Sequence, residues 1–126
     1  MRILLDTHIY LWWLAGDKRL SNKSRRRIGN ASQVFVSSVS IWEAAIKIGV
    51  GKLDADMDQL VDGVAASGFL SLPISIAHAA ATSALKGHHR DPFDRMLIAQ
   101  AEVEPLRLLT ADETLANYSD LIEFVQ

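Results

Sequence analysis

The sequence predicts an α/β fold, namely a three-layer α/β/α sandwich with a central parallel sheet. Short apolar runs typical of buried strands alternate with longer segments of helical pattern along the whole chain. No repeat, linker or low-complexity tract interrupts this alternation. Strands that alternate with helices form parallel sheets covered on both faces. The chain of 126 residues is the size of one domain, so we expect a single domain spanning residues 1–126.

Five apolar runs are predicted as strands, because each is short, rich in Leu, Ile, Val or Phe, and bounded by polar or turn residues. In chain order they are residues 2–5, 34–36, 69–72, 106–109 and 121–125. The first ends at Asp6 and the fourth at Thr110. Polar side chains therefore follow two of the predicted strands directly.

Helices are predicted between these strands from apolar periodicity and from capping residues. In chain order they are residues 7–15, 21–28, 41–48, 57–66, 75–85, a helix beginning at Pro92, and a short helix over 112–117. Ser21 and Asp112 have the positions of N-caps. Ser40 and Glu43 have the spacing of a capping box, which predicts that the third helix begins at residue 41.

The helix that begins at Pro92 carries the most information about function. Asp91 has the position of its N-cap, Pro92 suits its first position, and Asp94 falls in its first turn. The residues from Met96 to Ala101 are mostly apolar around the helix, which predicts a helix packed against the sheet. Glu104 and Pro105 end it. Two carboxylates therefore lie at the amino end of a helix that is predicted to be buried.

Composition excludes several classes of protein. The chain has no cysteine, which excludes disulfides and thiolate metal sites and leaves oxygen and imidazole as metal ligands. It has no targeting segment and no apolar run long enough to cross a membrane. A net charge of -2 gives no general attraction to nucleic acid. We therefore expect a cytoplasmic protein without membrane association, and any binding of nucleic acid requires a local basic patch.

Four acids map to one edge of the predicted sheet. In a parallel α/β sheet, the carboxyl ends of the strands and the amino ends of the following helices share an edge, where ligands bind. The acids at this edge are Asp6, Glu43, Asp94 and Asp112. Carboxylates that converge repel one another unless a cation neutralises them. Their oxygen ligands suit Mg²⁺ or Mn²⁺, and such a centre supports hydrolysis of RNA or DNA.

Other polar residues near this edge could assist the reaction. Thr7 or Thr110 could orient a water bound to the metal. Four basic residues are candidates to hold the phosphates of the scissile strand, namely Lys47, Lys52, Arg90 and Arg95.

Simpler structural roles compete with these assignments. Asp91, Asp94, Glu43 and Asp112 could each serve only to cap a helix. Glu43 and Lys47 also have the spacing of a helical ion pair, which competes with a metal role for both. Arg25 to Arg27 is interpreted as a solvated helix face. Three tryptophans exceed what a small core hides completely, so at least one could mark a partner surface.

The chain resembles the PIN-domain ribonucleases, and among them the toxins of the VapBC toxin–antitoxin type. The segments that carry the resemblance are LLDTH at 4–8, SVSIWEAAIKIGVGKL at 38–53, LPI at 72–74, HRDPFDRMLIAQA at 89–101 and LLTADE at 108–113. Together they span nearly the whole chain. The sequence departs from the family at residues 85–87, where such proteins are expected to carry a proline. This departure affects the expected shape of the substrate entrance and leaves the acids unchanged.

The resemblance implies a PIN-like fold and a Mg²⁺- or Mn²⁺-dependent endoribonuclease. It implies that Asp6, Glu43 and Asp94 are metal ligands and that Asp112 binds the metal directly or through water. Asp91 would support this set or only cap its helix. The resemblance also implies an RNA substrate, a homodimer, and a small antitoxin whose disordered tail folds over the active-site groove.

Three other functions can be compared with this one. A receiver domain needs paired acids early in the chain, but Asp6 is single, and a phosphatase with an aspartate nucleophile needs an acid at position 8, which is His8. A catalytically silent PIN-fold module that binds another protein stays open as the alternative.

Overall fold

The computed structural model describes residues 2–85 and 91–126 and shows a five-stranded parallel sheet. The strands are β1 Arg2–Leu5, β2 Gln33–Ser37, β3 Leu70–Leu72, β4 Arg107–Thr110 and β5 Ile122–Phe124, in the order β3-β2-β1-β4-β5. Leu5 is in register with Val36 of β2 and Leu109 of β4, so the carboxyl ends of these three strands are level. The strand order reverses beside β1. In such sheets this switch point is where ligands bind.

Helices cover both faces of the sheet, which confirms the predicted α/β sandwich. They are α1 Thr7–Ala15, α2 Asn22–Gly29, α3 Ser38–Gly49, α4 Met57–Ala66, α5 Ile76–Ala81 and α6 Pro92–Val103. Short 3₁₀ turns occupy Thr82–Ala84 and Glu113–Tyr118. Among the residues described, no helix combines the length and the apolar character needed to cross a membrane.

Successive residues of β1 project to opposite faces of the sheet and enter two separate cores. Ile3 and Leu5 pack with Ile9 and Tyr10 of α1 on one face. Leu4 packs on the other face with the buried side of α6. The central strand is thus fixed from both sides, and so is the position of the residue that follows it.

The capping box predicted for the third helix is wrong. α3 begins at Ser38, three residues earlier than the prediction of residue 41, and its N-cap is Ser37, whose hydroxyl accepts a hydrogen bond from the Val39 amide at 3.0 Å. β2 therefore runs into α3 without a loop. Ser40 and Glu43 consequently lie inside the helix, one turn apart on the same side.

Two other predictions also differ from the structure. The helix predicted over 75–85 ends at Ala81 and continues as a 3₁₀ turn. Arg25 does not lie on a solvated face: it is half-buried, and its guanidinium donates to the carbonyls of Trp12 and Asp17, both at 3.1 Å. Trp12 lies in the last turn of α1 and Asp17 just beyond its end. Arg25 therefore stabilises the end of α1.

Candidate active site

Asp6 lies at the switch point of the sheet and is held on three sides. It follows β1, caps α1 and is only 5% exposed. Its Oδ1 accepts a hydrogen bond from the Ile9 amide at 2.9 Å, and its Oδ2 accepts one from the Thr110 hydroxyl at 2.5 Å. Its own amide donates to the Leu109 carbonyl at 3.0 Å. The carboxylate is therefore fixed between the ends of β1 and β4.

The environment of Asp6 disfavours its charge. Burial raises its pKa from the ordinary 3.8 to about 6, against the opposing effect of hydrogen bonds from Thr110 and Ile9 and of the His8 charge. The nearby charge of Asp94 makes a smaller contribution in the same direction as burial. Asp6 and Asp94 are thus close enough to interact electrostatically across the switch point. A cation beside them would relieve both desolvation and repulsion.

Glu43 lies in the middle of α3 and is only 4% exposed. Its Oε2 accepts a hydrogen bond from Lys47 Nζ at 2.7 Å. This is the helical ion pair that the spacing of the two residues suggested. Glu43 is a buried carboxylate with a counter-ion from its own helix, and that counter-ion is one of the residues predicted to hold phosphate.

A buried hydrogen bond ties α3 to the residue beside Asp6. The Thr7 hydroxyl donates to the Ser40 hydroxyl at 3.0 Å, and both residues are buried. Since Glu43 lies one turn beyond Ser40, this contact orients α3 relative to Asp6. Sequence reasoning assigned Ser40 to a cap and missed its role here. The signal was its spacing of three from Glu43, which suits a shared helix face as well as a capping box.

α6 presents two acids and a base at its amino end, as predicted. Asp91 is the N-cap, and its Oδ1 accepts hydrogen bonds from the amides of Phe93 at 2.8 Å and Asp94 at 3.3 Å. Asp94 lies in the first turn. The Arg95 guanidinium donates to the Thr82 carbonyl at 2.7 Å, which fixes the turn after α5 against α6. The capping role of Asp91 is confirmed.

Asp112 is connected to Asp6 through one hydroxyl group. The Asp112 amide donates to Thr110 Oγ1 at 3.0 Å, and that hydroxyl in turn donates to Asp6. The Asp112 side chain is exposed, and its Oδ1 accepts hydrogen bonds from the amide and hydroxyl of Thr114 at 3.0 and 2.6 Å. Thr110 therefore links the two strand-end acids, while the Asp112 carboxylate caps a 3₁₀ turn.

The donor set suits a hard cation, although the four carboxylates do not form a compact cluster. Across residues 2–85 and 91–126, no group of three or more His, Asp or Glu side chains could hold a metal as it stands. Asp6 and Asp94 interact, whereas Glu43 is engaged by Lys47 and Asp112 by Thr114. Mg²⁺ keeps several waters and needs only one or two carboxylates, so the oxygen donors of Asp6 and Asp94 fit it. Arg90, predicted to hold phosphate, lies outside the described residues.

A groove of about 790 Å³ runs beside the site between α1, the end of α3 and the start of α4. Its walls combine apolar and charged side chains, and they include His8, Trp12, Lys47, Lys52 and Leu53. Lys52 is exposed, and three aspartates also line the groove, so its walls carry charges of both signs. Elsewhere, Trp42 is 57% exposed and packs edge-on against Phe93, with ring centroids 5.2 Å apart.

Comparison with known proteins gives matches over nearly the whole chain. The PIN domain family matches residues 3–121. The chain is 29% identical over 123 residues to ribonuclease VapC22 of Mycobacterium tuberculosis, covering 92% of this chain and 91% of the relative. Its fold is similar to VapBC2 from Rickettsia felis bound to a promoter DNA fragment, with a TM-score of 0.74 and 17% identity over 100% of both chains. It is also similar to a toxin–antitoxin complex from Klebsiella pneumoniae, with a TM-score of 0.68 and 18% identity over 96% and 95% of the two chains.

Proposed function

The chain belongs to the PIN-domain family, and from that premise we propose that it is a metal-dependent endoribonuclease that acts as the toxin of a toxin–antitoxin pair. The ribonuclease name of the VapC22 relative supports the activity. The fold shared with VapBC2 and with a toxin–antitoxin complex supports the biological role. The expected partners are an RNA substrate, a small antitoxin and a second copy of the chain, in the cytoplasm.

One observation supports the metal-dependent chemistry most directly, namely the burial of the Asp6 carboxylate at the switch point. Asp6 is buried, and both burial and the Asp94 charge disfavour its ionisation. A protein that needed Asp6 only as a helix cap could use Ser or Asn without this cost. We propose that Asp6 and Asp94 hold Mg²⁺ or Mn²⁺, and that Glu43 and Asp112 complete the set directly or through water.

The ion, when bound, would lower the pKa of a coordinated water and offset the charge that develops on the phosphodiester. The residues of the chain position the groups around it. Thr110 fixes the Asp6 carboxylate through its hydroxyl, and the Thr7 to Ser40 bond sets the position of α3. Lys47, Arg90 and Arg95 would hold substrate phosphates, and Asp91 supports the site by capping α6.

A second candidate function is a catalytically silent PIN-fold module that binds another protein. One observation favours it: over the described ranges, the carboxylates do not gather in threes, and Glu43 already has a counter-ion. In that case Lys47 would replace a metal permanently. The two functions differ in whether the chain cleaves RNA and whether it binds a divalent ion.

Cleavage of RNA by the purified protein tests this proposal. We expect cleavage of single-stranded RNA with Mg²⁺ or Mn²⁺ and none with a chelator. Asp94→Asn should reduce the rate by about a hundredfold or more, because the ion supplies several kcal/mol of charge stabilisation in the transition state. Asp58 is a matched control, since it lies in the first turn of α4 as Asp94 does in α6, and it is exposed.

Asp58→Asn should keep the wild-type rate. Cleavage that survives chelation, or that Asp94→Asn retains, would show that the activity is not metal-dependent at this site. Absence of both cleavage and metal binding in the wild-type protein would favour the silent module.

A further inference from the structure

Lys47 has an unusual position for a helical ion-pair partner, because the carboxylate it contacts is buried. The Nζ of Lys47 lies 2.7 Å from Glu43 Oε2, and Glu43 is almost fully removed from solvent. An exposed pair of this spacing contributes little to stability, but a buried carboxylate without a partner is strongly unfavourable. Lys47 is therefore the partner that compensates the buried Glu43 carboxylate.

The same lysine also lines the groove beside the site. Lys47 is among the residues of the groove of about 790 Å³, together with Trp12 and Lys52. Its side chain is 37% exposed, so it is not enclosed at Glu43. A lysine side chain has four rotatable carbons, and its ammonium can change partners without a change in the backbone. The ammonium thus has two environments available, the Glu43 carboxylate and the groove.

We propose that Lys47 is an internal counter-ion that occupies Glu43 in the metal-free protein and moves into the groove when a divalent ion binds. This inference rests on the proposed function, because it requires Glu43 to be a metal ligand. An ammonium and a divalent cation on one carboxylate repel each other, and this repulsion is strong away from bulk water. Metal binding to Glu43 therefore favours the release of Lys47.

Two consequences follow from this exchange. Metal binds more weakly than the carboxylates alone would allow, because one of them must first lose its ion pair. Lys47 lines the groove already, and loss of the Glu43 ion pair leaves its charge there uncompensated beside Lys52. A phosphate chain in the groove would then meet a Lys47 ammonium released from Glu43 in the metal-loaded protein, and one paired with Glu43 in the metal-free protein. Loading of the metal and binding of an anionic strand are thereby coupled.

Calorimetric titration of the full chain with Mn²⁺ tests the exchange. Lys47→Gln removes the charge but keeps a hydrogen-bond donor for Glu43. We expect it to bind Mn²⁺ about tenfold more tightly than wild type, because a neutral hydrogen bond to Glu43 replaces a charge-assisted one. Lys52→Gln is the matched control, because Lys52 lines the same groove and is exposed; its affinity should stay within about twofold of wild type.

A double-mutant cycle distinguishes competition between Lys47 and the metal for Glu43 from a general effect of charge on metal affinity. Glu43→Gln should weaken Mn²⁺ binding, and adding Lys47→Gln to it should change nothing further. An equal gain from Lys47→Gln in both backgrounds would mean that the lysine acts only through long-range charge, and the exchange would be wrong. An affinity of Lys47→Gln equal to wild type would also overturn it.

Two further outcomes distinguish the exchange from the proposed function. Wild-type protein that binds no Mn²⁺ overturns both. Binding that Glu43→Gln leaves unchanged overturns the exchange alone, and a site at Asp6 and Asp94 would remain. Should the Lys47 variant fold poorly, the wild type supplies the test: the ammonium signal of ion-paired Lys47 in ¹H–¹⁵N NMR should disappear as Mg²⁺ is added. A signal that persists at saturation would overturn the exchange.

Discussion

The burial of Asp6 predicts that this residue reduces the stability of the metal-free protein near neutral pH. Its pKa in the fold is about 6, against an ordinary value of 3.8. Between these values the folded protein keeps the proton and the unfolded chain loses it. The free energy of unfolding therefore falls as pH rises from about 4 to 6. The difference in pKa corresponds to about 3 kcal/mol, fully lost by about pH 7.

Asp6→Asn removes the ionisable group and keeps an acceptor for the Ile9 amide. Urea unfolding in the presence of a chelator should show this variant to be more stable than wild type at pH 7, by up to about 3 kcal/mol, with the difference shrinking toward pH 4. Asp56→Asn is the matched control, since Asp56 is an exposed N-cap of α4. It should not exceed the wild-type stability at pH 7, because an exposed carboxylate carries no cost of burial.

Mg²⁺ should reverse this order, because an ion that binds only the folded protein stabilises it by mass action. Wild type should gain stability as Mg²⁺ is added, and Asp6→Asn should gain little. The reasoning would be refuted by a wild-type stability that does not change between pH 4 and 7, or by an Asp6→Asn variant no more stable than wild type at pH 7. Either result would mean that the fold solvates the Asp6 charge well.

Two further predictions concern the supports of the site and the ends of helices. Thr110→Val should lower the free energy of unfolding by about 1–3 kcal/mol, because the hydroxyl between Asp6 and the Asp112 amide is lost. The pH range over which Asp6 affects stability should also move upward. Thr110→Ser keeps the hydroxyl and should retain both properties. Gly16→Ala should lower the free energy of unfolding by about 1–2 kcal/mol in thermal unfolding, because Gly16 has φ +64°. Gly49→Ala is the control: Gly49 has open space around it, so this variant should be neutral or stabilising. Equal effects of the two alanines would show that backbone conformation is not the cause.

The order of strands and helices could be predicted because it depends on local pattern. Each buried strand is an apolar run, and Asp6 directly follows one of them. The parallel topology then places strand ends and helix starts at one edge, so the neighbourhood of Asp6 and Thr110 followed without coordinates. The same reasoning identified Asp91 and Asp94 at the start of α6.

Side-chain partners could not be predicted in the same way. Ser37 and Ser40 both precede helical residues, and only the end of β2 decides that Ser37 is the cap. Ser40 is thereby left inside α3 and free to accept a hydrogen bond from Thr7. The i,i+4 spacing of Glu43 and Lys47 allows Glu43 to be an ion-pair partner or a metal ligand. The spacing alone cannot decide between these roles, because the choice depends on the burial of Glu43.

The site as a whole can be understood as a set of charges that the fold compensates separately. Asp6 receives hydrogen bonds from Thr110 and the start of α1, and Glu43 receives an ammonium from its own helix. Neither arrangement removes the repulsion from Asp94 or the cost of burying Asp6. A divalent ion would address both at once, because it neutralises carboxylates on different elements together. The metal-free protein therefore retains an unfavourable electrostatic energy at the switch point, which metal binding would relieve.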